Sequence, residues 1–155
     1  MEPYRANGYM ISRKFKFECA HKLNNLVDGH PCSCIHGHSY KIEMVLFAKD
    51  LNSQGFIIDF GELKPFQKWL DDNFDHALIV TEKDYKEELN ILLQKHKYFI
   101  MRGYNNTSAE NMAHLFVNTF YELFKEDLDF KNNVYQIFCK VWETENNYAS
   151  YWMYI

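Results

Sequence analysis

Three histidines and one cysteine set the chemistry to be explained. His36-Gly37-His38 places two imidazoles two positions apart, and in an extended segment such residues point to one side, roughly 6 to 7 Å apart along the backbone. His21 supplies a third ligand if the stretch that ends near it pairs with the stretch that begins at His36. Three histidines without a fourth protein ligand leave a coordination position open for water or substrate, the arrangement of a catalytic rather than a structural zinc ion. Cys32, close before His36, is then placed to act as a base, because a thiol beside a divalent cation gives up its proton more readily. The competing pattern is a structural staple from Cys32, Cys34, His36 and His38. Extended geometry opposes it: those residues span roughly 20 Å, too far for bonds of about 2.0–2.3 Å to a single ion. Cys19 and Cys139 lie in apolar, strand-like stretches and read as small buried hydrophobes.

The elements that must position these groups follow from periodicity. Loose alternation over 10–18 and clear alternation over 40–48, with Tyr40, Ile42, Met44, Leu46 and Ala48 on one face, predict two strands. Between them, 24–35 has turn chemistry, with Gly29, Pro31 and both close-set cysteines. Asp59 followed by Glu62 resembles a capping box opening a helix over about 61–73, with Pro65 in its first turn. A shorter helix over 84–94 through Leu89, Leu92 and Leu93 is expected next, then a strand over 98–101. A polar stop at Asn105, Asn106, Thr107 and Ser108 precedes a strongly amphipathic helix through Met112, Ala113, Phe116, Val117, Phe120 and Phe124. Two aromatic, β-branched runs, 134–144 and 148–155, flank Glu145, Asn146 and Asn147 as in a hairpin. The order ββα(α)βαββ predicts one α+β domain over 1–155, a two-layer antiparallel sheet with helices on one face. Its other face needs a partner, which predicts a homo-oligomer.

Composition narrows the function classes. A net charge of −4 argues against broad nucleic-acid binding, which needs a positive face. No apolar run has the length of a signal peptide or a membrane span, so no membrane partner is expected and a cytoplasmic protein is. Four cysteines are too few and too unevenly spaced for a disulfide scaffold.

Five ordered blocks carry a resemblance. Phe17-Glu18-Cys19-Ala20-His21 with Cys32-Ser33-Cys34-Ile35-His36-Gly37-His38, then the segments 55–64, 74–78, 108–113 and 141–144, closely resemble the 6-pyruvoyl-tetrahydropterin synthase and 6-carboxytetrahydropterin synthase superfamily. The Cys-x-x-x-His-Gly-His spacing resembles the carboxy branch, which acts in queuosine (7-deazaguanine) biosynthesis. The resemblance implies the tunnelling fold, with sheets from several copies joined into barrels in a trimer-based or hexameric homo-oligomer. It implies Zn2+ on His21, His36 and His38, and a pterin triphosphate as substrate: 7,8-dihydroneopterin triphosphate would give 6-carboxy-5,6,7,8-tetrahydropterin, acetaldehyde and triphosphate. Cys32 would be the base, Asp75 and His76 members of a proton relay, and Glu143 the anchor of the pterin ring or a relay member. A carboxylate suits that anchor, since its two oxygens match the ring's adjacent amino group and N–H. Ser108 and Glu110 would add contacts to the same ring, although a capping box from Thr107 to Glu110 accounts for them as well. Two rival functions stay open: a pyruvoyl-forming or side-chain-cleaving enzyme of the same fold, and a non-catalytic zinc-stabilised binding module.

Overall fold

A computed structural model describes residues 7–84, 90 and 93–155. Two long strands dominate it, β1 (Tyr9–His21) and β2 (His36–Ala48), paired antiparallel throughout. Alternate residues divide by chemistry: Phe15, Phe17, Cys19, Tyr40, Ile42, Met44 and Leu46 are buried, whereas Lys14, Lys16, Glu18, Ser39 and Lys41 are exposed. Because successive side chains of a strand point to opposite faces, this pattern fixes which side of the sheet is covered.

The remaining elements are α1 (Lys64–Asn73), β3 (Ala77–Thr81), β4 (Tyr98–Met101), α2 (Ala109–Phe124), α3 (Leu128–Asn133), β5 (Val134–Trp142) and β6 (Tyr148–Tyr154). Together the strands form one six-stranded sheet in the order β4-β3-β1-β2-β5-β6. The antiparallel part runs from β1 through β2 and β5 to β6, and β3 joins β1 and β4 in parallel. Phe66, Leu70 and the adjoining Phe74 from α1, with Met112, Phe116, Val117 and Phe120 from α2, cover the apolar face. Their rings meet edge-on, with centroids 5.0 Å apart for Phe74–Phe116 and 5.3 Å for Phe66–Phe120. Such contacts add about 0.5–1.5 kcal/mol to ordinary burial.

The α+β, two-layer expectation is met, and this single chain leaves its sheet open rather than closed into a barrel. Four details differ or fall outside. The capping aspartate Asp59 serves a 3-10 turn, Phe60–Leu63, and the α-helix proper starts only at Lys64. β3 and α3 are additional elements. The cap of α2 is Ser108, whose side chain accepts from the Asn111 amide, and not Thr107. The short helix expected over 84–94, including Leu89 and Leu92, lies largely outside the described residues. Among the described residues no helix is long and apolar enough to cross a membrane.

Candidate metal centre

The β1–β2 register brings the histidines together. His21, the last residue of β1, stands directly opposite His36, the first of β2, and His38 stands opposite Cys19. All three point to the helix-covered face. Ring centroids are 4.7 Å apart for His21–His36, 4.9 Å for His36–His38 and 5.3 Å for His21–His38. One ligand nitrogen from each lies within 4.8 Å of the others, and this group could hold a metal ion. It contains no thiol, so the four-residue staple does not form.

Hydrogen bonds decide which nitrogen each ring can offer. His21 Nδ1–H donates to the Thr107 carbonyl at 2.9 Å, and His36 Nδ1–H donates to the Cys34 carbonyl at 2.8 Å. Both rings are thereby left with a lone pair on Nε2, the second-nitrogen arrangement typical of metal-bound histidine. The Nε2 atoms of His36 and His38 are buried without a hydrogen-bond partner. Orphaned buried acceptors are costly, and a shared cation would satisfy both, so the residues fit the ion that the spacing implies. Burial pushes the pKa of His21 and of His38 below the usual imidazole value, with Glu143 pulling each back in part. Both therefore favour the neutral form that binds metal.

The other expected residues fall into two groups. Glu143, just past the end of β5, brings Oε1 to 3.4 Å from His38 Nε2 without making a hydrogen bond. It shares a cleft of 240 Å³ with Ser108, Glu110 and Leu23. Cys32 is half-buried in the 3-10 turn Pro31–Ser33, and its carbonyl is held by the Leu23 amide at 2.7 Å. The buried Tyr40 hydroxyl lies 3.3 Å from His21 Nε2. Burial pushes its pKa up. Cys34 is exposed, whereas Cys19 and Cys139 are buried, with thiols pushed far up by burial, as inert core residues are.

Asp75 and His76 form the second group, and the chain does not bring them to the first. Asp75 Oδ1 accepts from the Glu18 amide at 2.9 Å, and Asp75 Oδ2 is 2.8 Å from His76 Nδ1. The pair sits at the start of β3, whose Ala77 is level with Cys19. His76 has φ 57°, a left-handed turn fixed by its amide donating to the Glu18 carbonyl at 2.6 Å. His76 lines a 510 Å³ cleft with Glu18, Gly37, His38, Ser39 and Lys97, and the exposed Glu18 and Ser39 belong to the sheet face that carries no helices. A methyl group on Gly37 would meet only the Cys19 carbonyl, at an ordinary 3.5 Å, so what this glycine leaves room for is the cleft rather than a segment of its own chain.

Periodicity did not single out Thr107, Tyr40 or the Cys34 carbonyl as partners of the histidines. Thr107 lay in a polar stop and Tyr40 in an apolar strand face, and no local pattern marks either as touching an imidazole.

Residues 10–153 match the family model described as 6-pyruvoyl tetrahydropterin synthase. A 6-carboxy-5,6,7,8-tetrahydropterin synthase of Rickettsia bellii is 34% identical over 140 residues, covering 87% of this chain and 94% of that protein. One from Helicobacter pylori is 27% identical over 143 residues, covering 90% of this chain and 70% of that protein. The solved 6-pyruvoyl tetrahydropterin synthase of Plasmodium falciparum superposes with a TM-score of 0.74 over 97% of this chain and all of that one; at 19% identity it speaks to the fold alone. The chain belongs to the 6-pyruvoyl tetrahydropterin synthase family.

Proposed function

We propose that this chain is a zinc-dependent lyase that converts 7,8-dihydroneopterin triphosphate and water to 6-carboxy-5,6,7,8-tetrahydropterin, acetaldehyde and triphosphate, a cytoplasmic step of queuosine biosynthesis. The observation that carries the reading is the convergence of His21, His36 and His38 with two buried Nε2 atoms lacking any partner. The Rickettsia and Helicobacter relatives, each named a 6-carboxy enzyme, support the carboxy branch.

His21, His36 and His38 would hold the zinc ion, which would supply Lewis-acid polarisation for the hydroxyls on the substrate's side chain. Cys32 removes a proton from the side-chain carbon held beside it. Glu143 offers two carboxylate oxygens to the amino group and ring N–H of the pterin, a paired contact that orients the side chain toward the histidines. Ser108 and Glu110, on the same cleft as Glu143, add a hydroxyl and a carboxylate along the ring. Asp75, hydrogen-bonded to His76, orients that imidazole to carry a proton.

Asp75 and His76 are not part of the ligand group of their own chain, and His76 opens on the cleft beside the exposed Glu18 and Ser39 of the bare face, so the reading has a second copy present its dyad to this metal centre. That requirement, together with the exposed Trp152, Tyr148 and Tyr154 on the same face, supports a homo-oligomer, a trimer or a hexamer built from trimers.

Incubation of the zinc-loaded protein with dihydroneopterin triphosphate should release acetaldehyde in step with triphosphate, with metal content measured on the same sample. The description of the matched family favours one second reading, a pyruvoyl-forming enzyme. Pyruvoyltetrahydropterin without acetaldehyde would establish it in place of the first.

A further inference from the structure

We infer that Thr107 is a positioning residue for the metal centre, holding His21 from two sides so that its Nε2 faces the ion. The inference rests on the reading that His21, His36 and His38 bind zinc.

His21 ends β1, paired with His36 of β2 on one side and level with Ile79 of β3 on the other. Its backbone is thereby placed, but the ring keeps its rotamers until something outside the sheet ties it down. Thr107 supplies the tie from the segment just before α2, and it is fully buried, at 0% exposure. Its carbonyl accepts His21 Nδ1–H at 2.9 Å, and its hydroxyl donates to the Lys22 carbonyl at 2.8 Å, pinning the peptide that follows the ligand.

The hydroxyl also acts on the ring. Its single proton is committed to Lys22, so toward His21 Nδ1, 3.4 Å away, Oγ1 presents only lone pairs. Carbonyl and hydroxyl oxygens thus both face Nδ1 as acceptors, and the neutral ring must carry its proton there. Nε2 is left unprotonated, the form a cation needs.

Thr107 is itself fixed. Its amide donates to Asn106 Oδ1 at 3.0 Å, and the Asn106 side chain clasps the Asn24 backbone through bonds of 3.0 and 3.1 Å. By contrast His36 receives only the carbonyl of Cys34, two residues away and exposed.

The test compares wild type, Thr107→Val and Thr107→Ser by titration with Zn2+ against a chromophoric chelator and by the visible absorption of the Co2+-substituted proteins. Valine keeps the volume and the main-chain carbonyl and removes only the hydroxyl. The expected result is zinc affinity about 10–100-fold weaker in Thr107→Val, with altered cobalt bands, and both restored in Thr107→Ser. Wild-type affinity and cobalt bands in Thr107→Val, whatever its melting temperature, would overturn the inference, as would a serine variant as weak as the valine one. If Thr107→Val does not fold, long-range 1H–15N spectra of the metal-free wild type decide: an Nδ1–H tautomer at His21 is expected, and an Nε2–H tautomer overturns the inference. A wild-type protein that takes up neither metal overturns the zinc reading and the inference with it, so the wild-type titration tells the two failures apart.

Discussion

On the proposed reading, the two faces of the central sheet carry two halves of one chemistry. On the helix-covered face, His21, His36 and His38 gather, hydrogen bonds set the tautomers of His21 and His36, and burial favours the neutral form of His21 and His38. On the bare face, His76, bonded to Asp75, stands at a 510 Å³ cleft beside Glu18 and Ser39, with its side chain 78% exposed. The cause is the strand period of two. Cys19 and His38 point one way, and their neighbours Glu18 and Ser39, bonded to each other at 2.7 Å, point the other. A packed face can preorganise ligands without help, whereas a bare face displays groups that need another surface to complete them. The proposed reading therefore has one chain hold both halves and a second copy close them on the substrate.

The largest effect should come from the packed face. His36→Ala removes a ligand, so bound zinc should fall to background and turnover with it, measured by metal analysis and acetaldehyde release. The same variant then probes the bare face. His36→Ala and His76→Ala should each be inactive alone, and co-refolded mixtures should regain a measurable fraction of activity, because some sites pair an intact metal centre with an intact dyad from another copy. Mixtures as dead as their components would mean that each dyad serves its own chain, and the two-face division would fail. Cys32→Ala should lower kcat by about 10²–10⁴-fold with zinc content unchanged. Unchanged turnover in that variant would show that another group is the base.

What the sequence revealed follows the same division. The histidine triplet and its strand partner were legible because two-residue alternation is a local signal, and His21 opposite His36 follows once the strands pair. β3 was not, because Ile79, Val80 and Thr81 are all buried. A strand between two parallel neighbours loses the alternation that marks a half-exposed one. The placement of Asp75 and His76 on the bare face depends on the long-range pairing of Ala77 with Cys19, which no local pattern encodes. At the start of α2, Thr107 and Ser108 both offer capping hydroxyls, and Ser108 takes the role because Thr107 is drawn to His21 and Lys22.

A pair of aspartates gives the smallest and most quantitative test of the contrast. Burial raises the Asp84 pKa, but bonds from Asn24 Nδ2 at 3.0 Å, the Thr81 amide at 2.9 Å and the Thr81 hydroxyl at 2.7 Å, with Lys22 Nζ at 3.0 Å, outweigh it and hold the group below the usual carboxylate range. Asp75 is also held low, first by the Glu18 amide, against a modest opposing effect of burial, and then by His76. For both, the unfolded chain takes up a proton first as pH falls, so the stabilisation is present above about pH 4 and disappears as pH drops through the lower folded value. The side chains differ in exposure, 4% for Asp84 and 31% for Asp75, and water can replace lost partners only at the second. In urea unfolding of metal-free protein at pH 7, Asp84→Asn should cost about 1–3 kcal/mol, and Asp75→Asn clearly less. The Asp84→Asn deficit should shrink by pH 3, where the wild-type carboxylate is losing its own advantage. An Asp75→Asn deficit equal to or larger than that of Asp84→Asn would show that the bare-face cleft is as tightly held as the interior, and the contrast between a packed half and a waiting half would not stand.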